Sequence, residues 1–301
     1  MADEFYRPKE WDSYIGQTNL KNHLNIAIQS AIHRQSVLDH VLLMGPPGCG
    51  KTTLSEIIAN KMYAEFLSFV MPIKPNLLQQ LVSSFQGVVL FDEIHRMSPK
   101  QQEELLPLIE DNYLQLSNGG RIYNENLTII GATTERDKII KPLWDRFVIK
   151  PKFDDYTPED LTEIILGMAQ ASIPRVMDRE DAMILAQASG GVPRVARTFV
   201  AMTRDLCAST GWLHMPSADA VLEACRVTRE GLHEDHIDYL KVLRNNGGSS
   251  GLDQIANHLN YPKGVVIDLE KLLIRLDMIT FTKSGRELKP AAYSFLSKGN
   301  Y

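Results

Sequence analysis

Along the first half of the chain, apolar residues fall in short dense runs separated by stretches where they recur every three or four positions. Residues 38–44 (LDHVLLM), 87–91 (GVVLF) and 126–131 (NLTIIG) are runs of the first kind. They are too short for helices and too uniformly apolar for a half-exposed strand, so they predict strands buried on both faces. Residues 51–62 place Leu54, Ile57 and Ile58 on one helical face and predict a helix. Strands alternating with helices predict a parallel α/β sheet covered on both sides. In 113–126 (YLQLSNGGRIYNEN), Leu114, Leu116 and Ile122 flank Asn118-Gly119-Gly120, the pattern of a β-hairpin with a tight turn. From Pro158 to about Val227 helical periodicity takes over, with helices expected near 158–170, 179–189 and 193–209. The last segment differs again: a helix at 234–244, a short helix at 251–259, then a helix carrying Val265, Leu269, Leu272, Leu273 and Leu276. Residues 277–290 read as a hairpin turning at Ser284-Gly285. Helix, turn, helix, hairpin is the outline of a winged helix, a DNA-binding module. The expected division is therefore an α/β domain over 1–155, an all-α domain over 156–228 and a winged helix over 229–301.

Bulk properties narrow the setting. The 301 residues are 44% hydrophobic and 23% charged, ordinary for a globular chain, with a formal net charge of -5. Mild acidity argues against gripping nucleic acid with the whole surface but leaves room for a local basic patch. No apolar run approaches the ~20 residues that span a bilayer, so no membrane association is expected. The acidic, polar start MADEFYRPKEWD is unlike a secretory signal. Three cysteines, Cys49, Cys207 and Cys225, have no metal-ligand spacing and fit the reducing cytoplasm.

The chemistry concentrates at two strand ends. Residues 45–52, GPPGCGKT, fit G-x-x-x-x-G-K-[ST] between a predicted strand and a predicted helix, which is the context that a phosphate-binding loop requires. Gly45, Gly48 and Gly50 let backbone N–H groups close around phosphate oxygens, and the helix N-terminus adds its positive end. Lys51 reaches the β- and γ-phosphates and Thr52 offers a hydroxyl to Mg²⁺. Downstream, VVLFDEIH puts Asp92 and Glu93 at the end of an apolar strand. Asp92 suits the Mg²⁺, and Glu93 the orientation and deprotonation of an attacking water. The string DEIH also mimics a motif of DExH helicases, but those need two tandem cores and this chain has room for one.

Taken together, RPKEWDSYIGQ (7–17), DHVLLMGPPGCGKTTL (39–54), VVLFDEIHRM (88–97), IIGATTERD (129–137), PLWDRF (142–147) and GGVPRVA (190–196) resemble the RuvB family. The family comprises AAA+ ATPases that drive branch migration of Holliday junctions, and the resemblance runs from Arg7 to about Tyr293. It implies ATP/ADP and Mg²⁺ as cofactors, duplex and branched DNA as partners, and assembly into a hexameric ring. By position it implies that Tyr6, Arg7, Tyr14 and Ile15 pack near adenine, with Tyr156. The resemblance likewise places Cys49 and Thr53 among the loop residues around the phosphates, and Glu110, Asp111 and Asn112 near nucleotide. It makes Thr134 the sensor near the γ-phosphate and Arg146 the arginine finger offered to a neighbouring subunit. Pro193 and Arg194 supply the second sensor.

The chain also departs from the family pattern. PLRDRF has become PLWDRF, so Trp144 replaces one arginine while Arg146 is kept. The wing RTPRGR has become FTKSGR, with Phe281 and Ser284 in place of arginines. Lys263, Lys271, Lys283 and Arg286 are the local basic candidates for phosphate contact. The hairpin at 113–126 is short with a polar tip, so weak or no docking of a RuvA-type partner is expected. A different class of function also joins such a core to a winged helix: an ATP-switched loader or initiator that turns over slowly. A clamp-loader-like subunit is a third reading, but it calls for a helical collar where this chain has its wing.

Overall fold

A computed structural model describes residues 7–283 and 285–299. Tyr6 and Ser284, both named above, lie outside the described residues. The chain gathers into two units. One is built on the residues up to Asp160 together with Val192–Arg194, the other on Leu161–Gly191 and the residues from Val195 onward.

In chain order the first unit holds α1 (Thr18–Arg34), β1 (Val41–Met44), α2 (Lys51–Lys61), β2 (Phe66–Val70), α3 (Pro75–Ser84) and β3 (Gly87–Asp92). It continues with α4 (Pro99–Glu104), α5 (Leu106–Asp111), β4 (Tyr113–Gln115), β5 (Arg121–Tyr123), β6 (Leu127–Thr133) and α6 (Lys141–Arg146). Four strands form a parallel sheet in the order β1-β6-β3-β2. Residues 149–153 run along the free edge of β1, where the Leu42 N–H donates to the Ile149 carbonyl at 2.8 Å. All seven residues of β6 are buried, which is why that stretch reads as apolar without alternation. The pleat sends Val41, Leu43, Val88, Leu90 and Ile130 to one face, where α1 and α2 cover them with Leu24, Ile28, Leu54 and Ile57. Leu42, Val89, Phe91 and Ile129 point the other way, against Leu81, Leu108 and Leu143 of α3, α5 and α6. The hairpin β4–β5 pairs Leu114 with Ile122, and its turn lies at 116–120.

The second unit carries α7 (Pro158–Ser172), α8 (Arg179–Ala188), α9 (Pro193–Ser209) and α10 (Ala218–Cys225). The first residues of α7 and α9 count with the first unit. There follow α11 (Glu234–Asn245), β7 (Ser249–Ser250), α12 (Leu252–Leu259), α13 (Lys263–Arg275), β8 (Ile279–Thr282), β9 (Gly285–Leu288) and α14 (Pro290–Lys298). The strands β7-β9-β8 make an antiparallel sheet packed with α11, α12 and α13 around Tyr239, Leu243, Ile255, Val266 and Leu273. This is a winged helix.

Inside that core Glu270 is 2% exposed. The Tyr239 hydroxyl donates to its Oε1 at 3.0 Å, and Arg286 donates through Nε at 2.8 Å and Nη2 at 3.3 Å. This corrects the expectation that Arg286 reaches DNA phosphate from the wing: its guanidinium is turned inward to Glu270, because a buried carboxylate without a cation is costly. Arg286→Ala is therefore expected to destabilise the fold by about 3 kcal/mol, while Lys283→Ala, on the exposed wing, changes stability little. Thermal unfolding of both variants checks this, and equal midpoints would remove the ion pair's structural role.

Candidate nucleotide site

The site is assembled at the C-terminal ends of β1, β3 and β6, where the parallel sheet leaves a crevice. After β1 the chain cannot enter α2 directly. It loops through 45–50, with Gly48 at φ 79° and Gly50 at φ 101°, a region that residues with a Cβ avoid. Space forbids a Cβ there as well: at Gly48 it would stand 2.7 Å from Arg194 Cβ, and at Gly50 2.8 Å from the Tyr14 hydroxyl. Arg194 and Tyr14 are thereby placed against the loop. The Lys51 ammonium folds back over the loop and donates to the carbonyls of Gly45 at 2.9 Å and Pro46 at 3.1 Å. With the residue only 6% exposed, it is a cation held in place over the loop.

Tyr14 and Tyr156 form the wall behind the loop. The Tyr156 hydroxyl lies 3.0 Å from that of Tyr14 and 3.2 Å from the Cys49 carbonyl. Burial pushes the Tyr14 hydroxyl well above its ordinary value and the Tyr156 hydroxyl up to about 12, so both serve as protonated hydrogen-bonding groups. Gln17, not singled out from sequence, locks this wall in place: its amide donates to the Asp154 carbonyl at 2.8 Å and accepts from the Asp154 N–H at 2.9 Å. Ile15 is half-buried beside them and Arg7 is exposed.

The carboxylates stand opposite. Asp92 Oδ2 is 3.5 Å from the Thr52 hydroxyl, while Oδ1 accepts from the Glu93 N–H at 3.0 Å. These two oxygens suit Mg²⁺, a hard cation that takes its remaining ligands from phosphate and water. Among the described residues no group of three or more His, Cys, Asp or Glu could hold a metal by itself. Glu93 sits at φ 53°, a costly backbone for a residue with a side chain and one that recurs at functional sites. Its Oε2 accepts from the Thr134 hydroxyl at 3.3 Å. His95, which the sequence reading passed over, adds a contact to Glu93, and its place two residues beyond Glu93 was the available signal.

Other expected residues stand elsewhere or contribute less. Arg146, at the end of α6, donates through Nε to Glu110 at 2.5 Å and through Nη1 to the Pro142 carbonyl at 3.0 Å. Glu110 is thus taken up by Arg146. Asp111 is exposed, and Asn112 ends α5 at φ 57°. Thr53 and Pro193 are half-buried near the loop and at the start of α9.

Cys49 lies inside the loop, 3% exposed, and burial pushes its thiol up. Thiolate is the reactive form, so alkylation should be slow and should trail that of the less buried Cys225. Once Cys49 is modified, its adduct occupies phosphate space and ATP binding is lost; bound ATP should protect it. Mass spectrometry with titration of the modified protein checks this, and unchanged affinity after complete modification would refute it.

A profile for the Holliday junction DNA helicase RuvB P-loop domain matches residues 6–153, and one for the RuvB C-terminal winged helix domain matches 229–297. A Holliday junction branch migration complex subunit RuvB of Staphylococcus aureus is 36% identical over 98% of this chain and 92% of its own length. A Thermotoga maritima RuvB variant superposes with a TM-score of 0.83 at 31% identity, covering 97% of this chain and 99% of its own. The T. maritima RuvB Holliday junction branch migration motor gives 0.82 at 32% identity, covering 98% and 99%. These matches show that the chain belongs to the RuvB family.

Proposed function

We propose that this chain is an ATP-hydrolysing DNA motor that drives branch migration of Holliday junctions as a ring of six copies. The observation that carries the reading is the Glu93 carboxylate, held by Thr134 beside Asp92 and Thr52 and facing a phosphate loop whose Lys51 is already in place. Mg²⁺, when bound at Thr52 and Asp92, neutralises phosphate charge. Lys51 and the loop N–H groups hold the phosphates, and Thr134 and Glu93 fix a water in line with the γ-phosphorus. Glu93 takes the proton as the water oxygen forms its bond and ADP departs. Arg146 of a neighbouring copy adds positive charge where the transition state needs it, so hydrolysis requires a ring or at least a dimer. Arg194 lies on α9, so loss of the γ-phosphate is transmitted along that helix.

DNA contact is proposed through the winged helix, at Lys263 and Lys283 together with Lys271. Lys263 and Lys271 are exposed and make surface pairs with Asp253 and Asp268, each at 2.6 Å. Such pairs are weak enough to yield to phosphate. Contact to phosphates suits a motor that must not depend on sequence. No helix among the described residues is long and apolar enough to cross a membrane, and a cytoplasmic site of action belongs to the same reading.

ATP turnover with and without duplex DNA, followed by strand displacement at a synthetic four-way junction, tests the proposal. Stimulated turnover with displacement is expected. Slow turnover that DNA does not stimulate, with tight ATP-dependent DNA binding, would replace it with the loader reading.

Recruitment follows from the hairpin. Its turn is polar, with Asn118 Oδ1 capping the Gly120 N–H at 2.9 Å. Loss of one large apolar side chain from a docking tip removes on the order of 2 kcal/mol, about thirtyfold in affinity. Weak binding to a RuvA-type protein is therefore expected by biosensor titration. Tight binding that survives deletion of residues 117–120 would place docking elsewhere. The flank, where the Tyr113 and Tyr123 rings pack at 5.5 Å with planes tilted by 46° and Arg121 lies over Tyr113, is the first surface to test then.

A further inference from the structure

Beyond the residues already given roles, the short turn Ile94–Arg96 after β3 buries an imidazole against the hydrolytic carboxylate. His95 is 9% exposed. Its Nδ1 lies 3.2 Å from Glu93 Oε2 and 3.1 Å from the Thr133 hydroxyl, while its Nε2 lies 3.1 Å from Glu135 Oε1. Glu135 is itself tied down: its other oxygen pairs with Lys138 at 2.8 Å and its N–H donates to the Thr133 hydroxyl at 3.0 Å. We propose that His95 is a positioning residue for Glu93, oriented by Glu135, and that this chain of contacts links the water-activating carboxylate to the segment leading into α6 and Arg146. The inference rests on the reading of Glu93 as the group that activates water.

The physical argument concerns where one ring proton goes. A neutral imidazole donates from one nitrogen only. With the proton on Nδ1, Glu93 Oε2 receives two donors, His95 and Thr134, which fix its direction and leave Oε1 to take the water's proton. With the proton on Nε2, the ring serves Glu135, Nδ1 accepts from the Thr133 hydroxyl, and Glu93 is held by Thr134 alone and is less well directed. Glu93 at Nδ1 and Glu135 at Nε2, 3.2 and 3.1 Å away, compete for this proton. Glu135 stands just before the turn Arg136–Lys138, which leads into α6 and the Arg146 finger. A movement there that draws Glu135 from Nε2 leaves the proton on Nδ1 and gives Glu93 its second donor. Hydrolytic competence thus follows the placement of the finger segment, through side chains that bind no nucleotide themselves.

The test uses the full-length protein with ATP and duplex DNA. His95→Ala is expected to lower kcat by about 10²-fold, the scale of a misplaced reacting group, with ATP affinity changed less than about threefold. His95→Asn, whose amide nitrogen can take the place of Nδ1, is expected to recover about tenfold of that loss. Because His95 acts through Glu93, adding His95→Ala to Glu93→Gln should cost nothing further in single-turnover hydrolysis. Near-parental kcat in His95→Ala overturns the proposal. So does an additive loss in the double variant, and so does a joint fall in affinity and thermal stability that His95→Asn does not relieve, since each assigns His95 a role apart from Glu93. Normal turnover by Glu93→Gln alone would instead remove the underlying reading of Glu93, so the two failures are distinguishable.

Discussion

Lys51→Ala is expected to lose nucleotide binding, while Glu93→Gln binds ATP normally and fails to hydrolyse it. The two residues line the same crevice but act at different stages. Lys51 is a nearly buried cation whose donors now rest on the Gly45 and Pro46 carbonyls. Swapping these neutral acceptors for phosphate oxygens gives charge-assisted bonds of roughly 1.5–3 kcal/mol each. Truncation removes both bonds and leaves the phosphates facing a loop of dipoles, a loss of about 10²–10³-fold or more in affinity. Glu93→Gln keeps the size of the side chain and an oxygen for the Thr134 hydroxyl, so the ground state is preserved. An amide accepts no proton from water, and losing a general base costs about 10²–10⁴-fold in turnover. Calorimetric ATP affinity and phosphate release separate the two outcomes. Tight binding by Lys51→Ala, or normal turnover by Glu93→Gln, would dismantle the site as drawn.

Arg146→Ala should bind ATP nearly normally and hydrolyse it about 10³-fold or more slowly, the scale of an arginine finger. Within its own chain Arg146 is bonded to Glu110 and to the Pro142 carbonyl and has no bond to the phosphate loop. If it works on ATP, it must do so on a neighbour's. Mixing Arg146→Ala with Lys51→Ala should therefore restore part of the activity: a subunit with an intact loop receives the finger of its Lys51→Ala neighbour. The Glu110 carboxylate is half-exposed, so this ion pair is worth little in water and releases the guanidinium readily. Co-assembly of the two inactive variants without recovered turnover would show that Arg146 does not act in trans.

The interior of the α/β unit was legible because it is written in runs of residues that water excludes. Residues 38–44, 87–91 and 126–131 contain β1 and most of β3 and β6. β2 was missed because it lies at the sheet edge, where Leu67 and Val70 remain exposed at 38% and 59%, so FLSFV carries neither an unbroken apolar run nor a clean alternation. The 149–153 edge was missed for a similar reason: Pro151 interrupts it, and its pairing comes from β1. Helices α7, α8 and α9 were read within a few residues of their ends, since a 3.6-residue apolar period is strong over ten residues or more. Glu110 and Arg286 were assigned by position in a motif. Position in a motif says where a side chain starts but not which partner it finds.

By itself the sequence determined the phosphate loop, the paired carboxylates after an apolar strand, the buried parallel sheet and the winged helix. Each of these depends on neighbours along the chain: glycines where the backbone must take positive φ, a lysine at a helix start, an apolar period that admits one geometry. Only the tertiary structure decided which distant groups meet. It brought Tyr14 and Tyr156 together behind the loop and clamped them with Gln17. It placed His95 between Glu93 and Glu135, turned Arg286 from the surface to Glu270, and set Arg146 on Glu110. Partners of this kind are chosen by what desolvation leaves unsatisfied once the sheet and helices have packed: a buried carboxylate takes whichever donor the fold brings within reach. Spacing along the chain carries no record of that choice.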